Sequence, residues 1–193
     1  VGAIDVCVHH VKNYYGEDIH EGDIFVMNDS YLQGTHLHDI TAIGPIFFEG
    51  KLVGFGAARA HWNDIGAMDP GSVMGSTNIY QEGLRIGPTR IMSKGQPVRE
   101  WYDHFRLNTR FKNATIGDLG AQIAAIRTGE RRLAQLLDRI GSTTYRSSCQ
   151  DIFEQARRMD REAIAAIPDG SWSRHGHLDD DGVGDTPIKI ALT

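Results

Sequence analysis

The sequence predicts an α+β fold, in which a β-hairpin carrying a candidate metal site packs with an antiparallel pair of helices, within a piece of a larger polypeptide. Three observations predict it. Short apolar runs between residues 23 and 60 are bounded by glycine, asparagine and aspartate, the pattern of strands and turns. Two long stretches after residue 111 repeat apolar residues at three- and four-residue steps, the pattern of amphipathic helices. Alternation then returns after residue 171. The resulting division is a β-rich region with a long active-site loop at 1–110, a helical pair at 111–170, and the start of a further β segment at 171–193.

Residues Val1 to Lys12 alternate loosely and suit either a strand or a short helix, and Tyr14 to Asp23 is turn-rich. Asp23–Met27 is a short apolar run, a buried strand by its length and β-branching. It delivers Asn28 and Asp29 to its C-terminal end. Ile40–Phe48 and Lys51–Ala60 form the arms of a hairpin folded at Glu49-Gly50. Pro45 removes a ladder donor from the first arm, which is therefore expected to be an edge or bulged strand. Gly54 and Gly56 share a face of the second arm, where another backbone, a ligand or a helix could approach closely.

From Gly66 to Gly95 the sequence reads as a long irregular loop, a length that is usually functional or disordered. Ile116, Leu119, Ile123, Ile126, Leu133, Leu136, Leu137 and Ile140 then define a helix with Thr115 as N-cap and Gly141 as its stop. Gly129 within it marks a kink or tight packing. A second helix runs from about Ser148, with Ile152, Phe153, Ala156, Met159, Ala163, Ile164 and Ile167 on one side, and ends at Pro168-Asp169-Gly170. The arginines of both helices read as a solvated face. Asp179-Asp180-Asp181-Gly182 lacks the ligand ladder of an EF-hand, so a polar β-turn is expected there.

With 193 residues, 40% of them hydrophobic and 23% charged, the chain suits one generous domain or two small ones. A net charge of −5 argues against nucleic acid as a partner, because the phosphate backbone needs a basic face. Cys7 and Cys149 lie far apart without a C-x-x-C spacing, so free thiols in a reducing cytoplasm are expected. No apolar run reaches a membrane span and no signal peptide is visible. The start at Val1 and the strand-like Ile188–Thr193 suggest a segment of a longer chain. There is no Walker phosphate loop, no G-x-S-x-G elbow and no G-x-G-x-x-G after a strand; any ATP must bind on missing sequence or on a partner chain.

The chemistry concentrates between Asn28 and Gly66. His36-x-x-Asp39 can converge if the chain turns there, which Gly34 permits. His61 closes the second hairpin arm, and folding at Glu49-Gly50 returns it to His36 and Asp39. Neutral imidazole nitrogen and carboxylate oxygen on fixed backbone are what divalent metals require. His36, Asp39 and His61 are therefore the candidate ligands, with open positions for water or substrate. His38 would replace His36 if the local chain were extended. Within the long loop, Glu82 and Arg85 are candidates for acid/base and anion clamp, or for a surface ion pair.

Four ordered blocks carry a family resemblance. Asn28-Asp29-Ser30-Tyr31-Leu32-Gln33-Gly34-Thr35-His36-Leu37-His38-Asp39-Ile40 resembles the N-D-P-Y-x-G-G-T-H-L-x-D segment of the hydantoinase B/oxoprolinase family. Arg59–Gly66, Ile79–Arg85 and the run from Ala121 through Leu133 are similar to further family blocks in the same order, so that the likeness extends from Gly22 to Gly182. Family members are considerably longer. The resemblance implies a large subunit working with an actin-like, ATP-binding hydantoinase A-type partner that phosphorylates the substrate. One branch opens 5-oxoproline, hydantoins and lactams; another comprises acetone and acetophenone carboxylases, whose His-x-x-Asp…His metal set maps onto His36, Asp39 and His61. Ser30 stands where the family has proline, and Trp62 where many hydrolases have a second histidine, so no ligand is expected at position 62 and the branch stays open.

The expected function is thus an ATP-dependent cyclic amide hydrolase subunit with a divalent metal (Mn, Zn or Mg) and with ATP on the partner. Asp29 or Asp64 would orient ligands or act as base, beside Glu82. A ketone carboxylase subunit and a non-catalytic scaffold, whose histidines hold a subunit interface, are the alternatives.

Overall fold

The computed structural model describes residues 2–33, 35–71, 75–179, 184 and 187–192. Gly34, and Asp180, Asp181 and Gly182 of the expected polar turn, lie outside them. The chain forms two compact units, Val1–Asp138 and Arg139–Thr193, a division that falls elsewhere than the expected breaks after 110 and 170.

The first unit is built on an antiparallel sheet of order β3-β2-β1-β4-β5. Its strands are β1 (Ile24–Met27), β2 (Asp39–Phe48), β3 (Lys51–His61), β4 (Thr89–Ser93) and β5 (Gln96–Pro97). The hairpin turns at Glu49 and Gly50, whose φ of 49° and 72° match the strand twist. Of the edge or bulged strand expected from Pro45, it is the edge that does not hold, because β3 takes that place, whereas the register of β2 is irregular between Ile46 and Phe47. Pro45 is tolerated because β1 pairs only with Thr41–Ile43, leaving position 45 beyond that ladder.

Both faces of the sheet are covered, so β1 is buried along its whole length. Phe25 and Met27 face one way, with Ile43, and meet Cys7 and Val11 of helix α1 (Ile4–Tyr15). The ambiguous first stretch is therefore helical, through Tyr15, with Cys7 and Val11 one turn apart on its buried face. Ile24 and Val26 face the other way, with Ile40 and Ala42, and meet Leu119 and Ile126 of helix α4 (Lys112–Ile140). Helix α3 (Arg99–Leu107), unanticipated within the β-rich region, adds Phe105 to this second layer. A four-residue helix α2 (Ser30–Gln33) follows β1.

Helix α4 comes close to the sheet at paired glycines. Gly44 stands opposite Gly56 across the hairpin. A Cβ on Gly56 would lie 3.3 Å from Ile126 Cγ2 and 3.7 Å from Ile126 Cα, so it is the helix that the glycine admits. Thr115 is not the N-cap: α4 starts at Lys112, and the buried Thr115 hydroxyl lies 3.0 Å from that of Thr109. Gly129 lies inside an unbroken helix, and a Cβ there would meet nothing within 4 Å, which removes tight packing as its reason.

The 66–95 stretch is only partly irregular. It contains a 3-10 turn (Ile79–Gln81) and β4, the strand next to β1 that sequence reading missed. In the second unit, helix α5 (Ser142–Ala165) starts earlier than expected, and β6 (Arg174–Leu178) pairs antiparallel with β7 (Ile188–Leu192). Ile152, Phe153, Met159 and Ile164 on α5 are exposed rather than packed. Among the described residues no helix is long and apolar enough to cross a membrane.

The glycine contact is testable. A Cβ at Gly44 would come within 2.7 Å of Ile126 Cγ2 and 2.9 Å of Ile24 Cδ1. Gly44→Ala should cost about 1–3 kcal/mol through overpacking, read by denaturant unfolding. Combined with Ile126→Ala, it should cost less than the sum of the two single changes; strict additivity would refute the contact.

Candidate metal centre

The hairpin register creates the centre. Across β2 and β3, on the face turned toward α1, the rungs are Ile43 opposite Ala57, Thr41 opposite Arg59, and Asp39 opposite His61. Environment changes along these rungs from apolar, to buried polar, to accessible. At the last rung His61 Nδ1 lies 2.9 Å from Asp39 Oδ1. His36 joins them because the chain turns before β2: Asp39 N–H donates to His36 O at 3.1 Å, and His36 Nε2 reaches to 3.9 Å from Asp39 Oδ2. The side chains of His36, Asp39 and His61 each present a donor atom within 4.8 Å of the others.

This set fits a divalent cation. Bonds of about 2.0–2.2 Å to one ion place neighbouring ligand atoms roughly 3–3.5 Å apart; the two His–Asp39 pairs, at 2.9 and 3.9 Å, bracket that range. Two imidazoles and a carboxylate suit zinc or manganese. His36 is 67% exposed and His61 43%, which leaves one side open to water or substrate.

His38 is a different kind of residue. It is only 3% exposed and is no member of the converging set, because residues 36–39 turn rather than extend. Its ring stacks on that of His61 at 5.4 Å, and its main-chain oxygen accepts from Trp62 N–H at 2.8 Å. Burial, reinforced by the His61 and His36 imidazoles, holds its pKa below the usual 6.5 against the opposing pull of Asp64 and Glu82, so it is neutral at pH 7. Its Nε2 is buried without a hydrogen-bond partner among the described residues.

The three candidate ligands stand on a buried polar network. Gln33 Nε2 donates to the main-chain oxygen of Asp39 at 2.9 Å, and Gln33 Oε1 accepts from the Thr41 hydroxyl at 3.1 Å. Arg59 Nε donates to Thr41 Oγ1 at 2.8 Å, while its Nη2 lies 3.3 Å from Cys7 Sγ. On the opposite face Trp62 is buried and donates its indole N–H to Gln122 Oε1 at 2.9 Å. Gln122 Nε2 returns bonds to the main-chain oxygens of Ile40 and Ala58. Gln122 recurs at the helix step between Leu119 and Ile126, a polar residue on an apolar face, which is the signal by which it could have been found.

Asn28 joins the ligand turn to the distant loop. Fully buried, it donates to Leu37 O at 2.6 Å and Leu84 O at 2.8 Å, and accepts from Ile86 N–H at 2.6 Å. Gly83 presses against the 65–67 segment, where a Cβ would lie 2.8 Å from Ile65 O. The Glu82 Oε1 accepts from Ser76 Oγ at 2.9 Å. Arg85 pairs with Asp29, Nε to Oδ2 at 3.6 Å, and not with Glu82. Asp29 Oδ1 also accepts from Tyr31 N–H at 3.0 Å, starting α2.

Asp64 is wholly buried. Arg110 Nη1 donates to its Oδ1 at 2.8 Å, the Arg110 main-chain N–H to its Oδ2 at 2.5 Å, and Gly66 N–H to Oδ1 at 3.1 Å. These donors hold the carboxylate in place, and with it the loop after His61.

Comparison with known proteins places the chain in a family. The Hydantoinase B/oxoprolinase family profile matches residues 1–193. The caprolactamase subunit beta of Pseudomonas jessenii is 34% identical over 191 residues, which are 98% of this chain and 33% of that protein. The crystal structure of ATP-dependent caprolactamase from P. jessenii superposes with a TM-score of 0.82 at 31% identity, covering 92% of this chain and 31% of that one. A nucleotide-free acetone carboxylase structure matches with a TM-score of 0.67 at 25% identity, covering 74% of this chain and 20% of that one. The chain thus spans about a third of the length of the curated relative. It belongs to the Hydantoinase B/oxoprolinase family.

Proposed function

We propose that this chain carries the metal-binding part of an ATP-dependent cyclic amide hydrolase subunit, acting on a lactam, hydantoin or 5-oxoproline. The observation that carries the reading is the convergence of His36, Asp39 and His61 on one accessible point. Its likeness to a caprolactamase subunit favours the hydrolase branch. An actin-like, hydantoinase A-type partner would bind ATP and phosphorylate the amide oxygen, which makes the carbon electrophilic; water adds there, the C–N bond breaks as the ring nitrogen takes up a proton, and a second water releases phosphate from the resulting acyl phosphate. The reading includes a reducing cytoplasmic setting, which suits the unpaired Cys7 and Cys149.

His36, Asp39 and His61 would hold the divalent ion, manganese, zinc or magnesium. When bound, such an ion supplies Lewis acidity and lets water act as a nucleophile near pH 7. Gln33 fixes the main chain of Asp39, and His38 supports the His61 ring from its buried side. Asp64 holds the loop after His61 through Arg110, so its part is positioning rather than proton transfer. Asp29 orients Arg85 at the rim. Glu82, free of any cationic partner among the described residues, serves as the acid/base group. A second reading, a ketone carboxylase subunit, is favoured by the acetone carboxylase likeness and would use the same ligands.

His36→Ala and His61→Ala should each abolish ATP-dependent turnover by the complex and strip the metal, measured by elemental analysis of purified protein, while helix content by circular dichroism is retained. Variants that keep both metal and turnover would favour the scaffold role. Gln33→Leu leaves all three ligands in place and should weaken metal binding by about 10–100-fold, the usual effect of losing an outer partner. Given lactam, hydantoin or 5-oxoproline against acetone or acetophenone with bicarbonate, the complex should release phosphate with a cyclic amide; release only with ketone and bicarbonate would select the carboxylase.

A further inference from the structure

The second unit, Arg139–Thr193, has no buried residue among those described. Its sequence is nevertheless patterned for burial. On α5 the residues Tyr145, Cys149, Ile152, Ala156, Met159 and Ala163 recur at alternating steps of four and three, the seam of a helix that packs along its length. No charge interrupts that seam. Charged residues lie on the other faces and pair there, Arg157 with Glu154 at 3.3 Å and Arg158 with Glu162 at 3.9 Å. Yet Ile152 is 64% exposed, Met159 57%, and Phe153, beside the seam, 72%.

The β6–β7 hairpin repeats the pattern. Leu178 stands opposite Ile188, and Ile190 and Leu192 share their face by alternation, whereas His175, His177 and Lys189 take the other. All four apolar side chains of that face are exposed. A two-stranded hairpin is marginal in water until further strands or a helix cover it. A protein helix likewise draws most of its stability from packing an apolar face. Contiguous apolar faces left to water mark a surface made for an occupant.

Two observations choose the occupant. The match to the caprolactamase subunit beta takes in 98% of this chain but 33% of that protein, so about two thirds of the relative's length lies outside it. A second copy is poorly served by the seam's flanks. The positions that meet across a parallel helix pair bring Ser148 to Phe153 and Gln155 to Asp160, without opposite charges to select a like partner. We infer that the apolar face of α5 is the seat of a segment of the same polypeptide, drawn from the part of the subunit outside these 193 residues. The inference concerns assembly and stands whichever reaction the metal centre serves. The occupant presents apolar side chains that fill the hollows at Ala156 and Ala163, on either side of Met159.

The test uses the full-length subunit in its native complex, with the photoreactive analogue p-benzoylphenylalanine in place of Phe153 and, separately, of Arg161 on the charged side. Irradiation followed by denaturing electrophoresis and peptide mass spectrometry identifies what lies against each position. The probe at Phe153 should give a product of single-subunit mass, joined to a peptide from outside these 193 residues. The probe at Arg161 should not give that product. A product of doubled subunit mass, a link to another protein of the complex, a link confined to these 193 residues, or no link from Phe153 would each overturn the inference. The unsubstituted subunit supplies a second measurement, which no probe can unfold. Cys149 lies on the seam, so its thiol should react with a maleimide only after denaturation; labelling of the native subunit at the rate of a free thiol would overturn the inference as well.

Discussion

The candidate centre depends on one rung of one ladder, Asp39 opposite His61. Side chains alternate across a strand, so a slip of one residue would send His61 to the α4 face and bring its neighbour beside Asp39. Two features oppose that slip. The positive φ angles at Glu49 and Gly50 fix the hairpin turn. The two faces also demand different residues: Ile40 and Ala42 meet α4, whereas Thr41 and Ile43 face α1. The register that buries the apolar set is the register that pairs the ligands. Folding and site assembly are in this sense one event.

The surrounding polar residues make that rung rigid rather than merely present. Buried amides are unfavourable unless their hydrogen bonds are met, and once met they specify a single arrangement. Gln33, Asn28 and Gln122 meet theirs with main-chain oxygens on other segments: Asp39, then Leu37 and Leu84, then Ile40 and Ala58. Each therefore couples two elements around the ligands. Trp62 shows the same economy, since its indole satisfies Gln122 while its ring packs edge-on to Phe105 at 5.5 Å. It supports the hairpin from the α4 side and offers the site no ligand atom.

Much of this was legible in the sequence where one local rule decides the outcome. The short run at Asp23–Met27, the hairpin with its turn at Glu49-Gly50, and the helix ending at Gly141 follow from periodicity and turn chemistry, as does the pairing that unites His61 with His36 and Asp39. Tertiary partners hid the rest. Strand β4 carries Arg90 as its second residue, a poor candidate for a sheet interior until Asp23 pairs with it at 3.3 Å and the Tyr15 ring lies under its guanidinium. In helix α1 only Cys7 and Val11 are buried, and Val6 and Val8 beside Cys7 blur the helical stripe, too sparse to separate from a strand. His36 and His38 were distinguishable only by whether the chain turns. The saturation of Asp64 by Arg110 comes from a residue remote in sequence and leaves no local trace, and Gln122 shows only as a polar residue on an apolar helix face.

Within the family, the account reduces to a claim about where one ion sits. Crystals of the protein loaded with manganese or zinc, measured at the absorption edge of the metal, address it directly. The account predicts a single strong anomalous peak about 2.0–2.2 Å from a nitrogen of His36, a nitrogen of His61 and an oxygen of Asp39. A peak held by other residues, or fully occupied metal with either imidazole turned away, would contradict it.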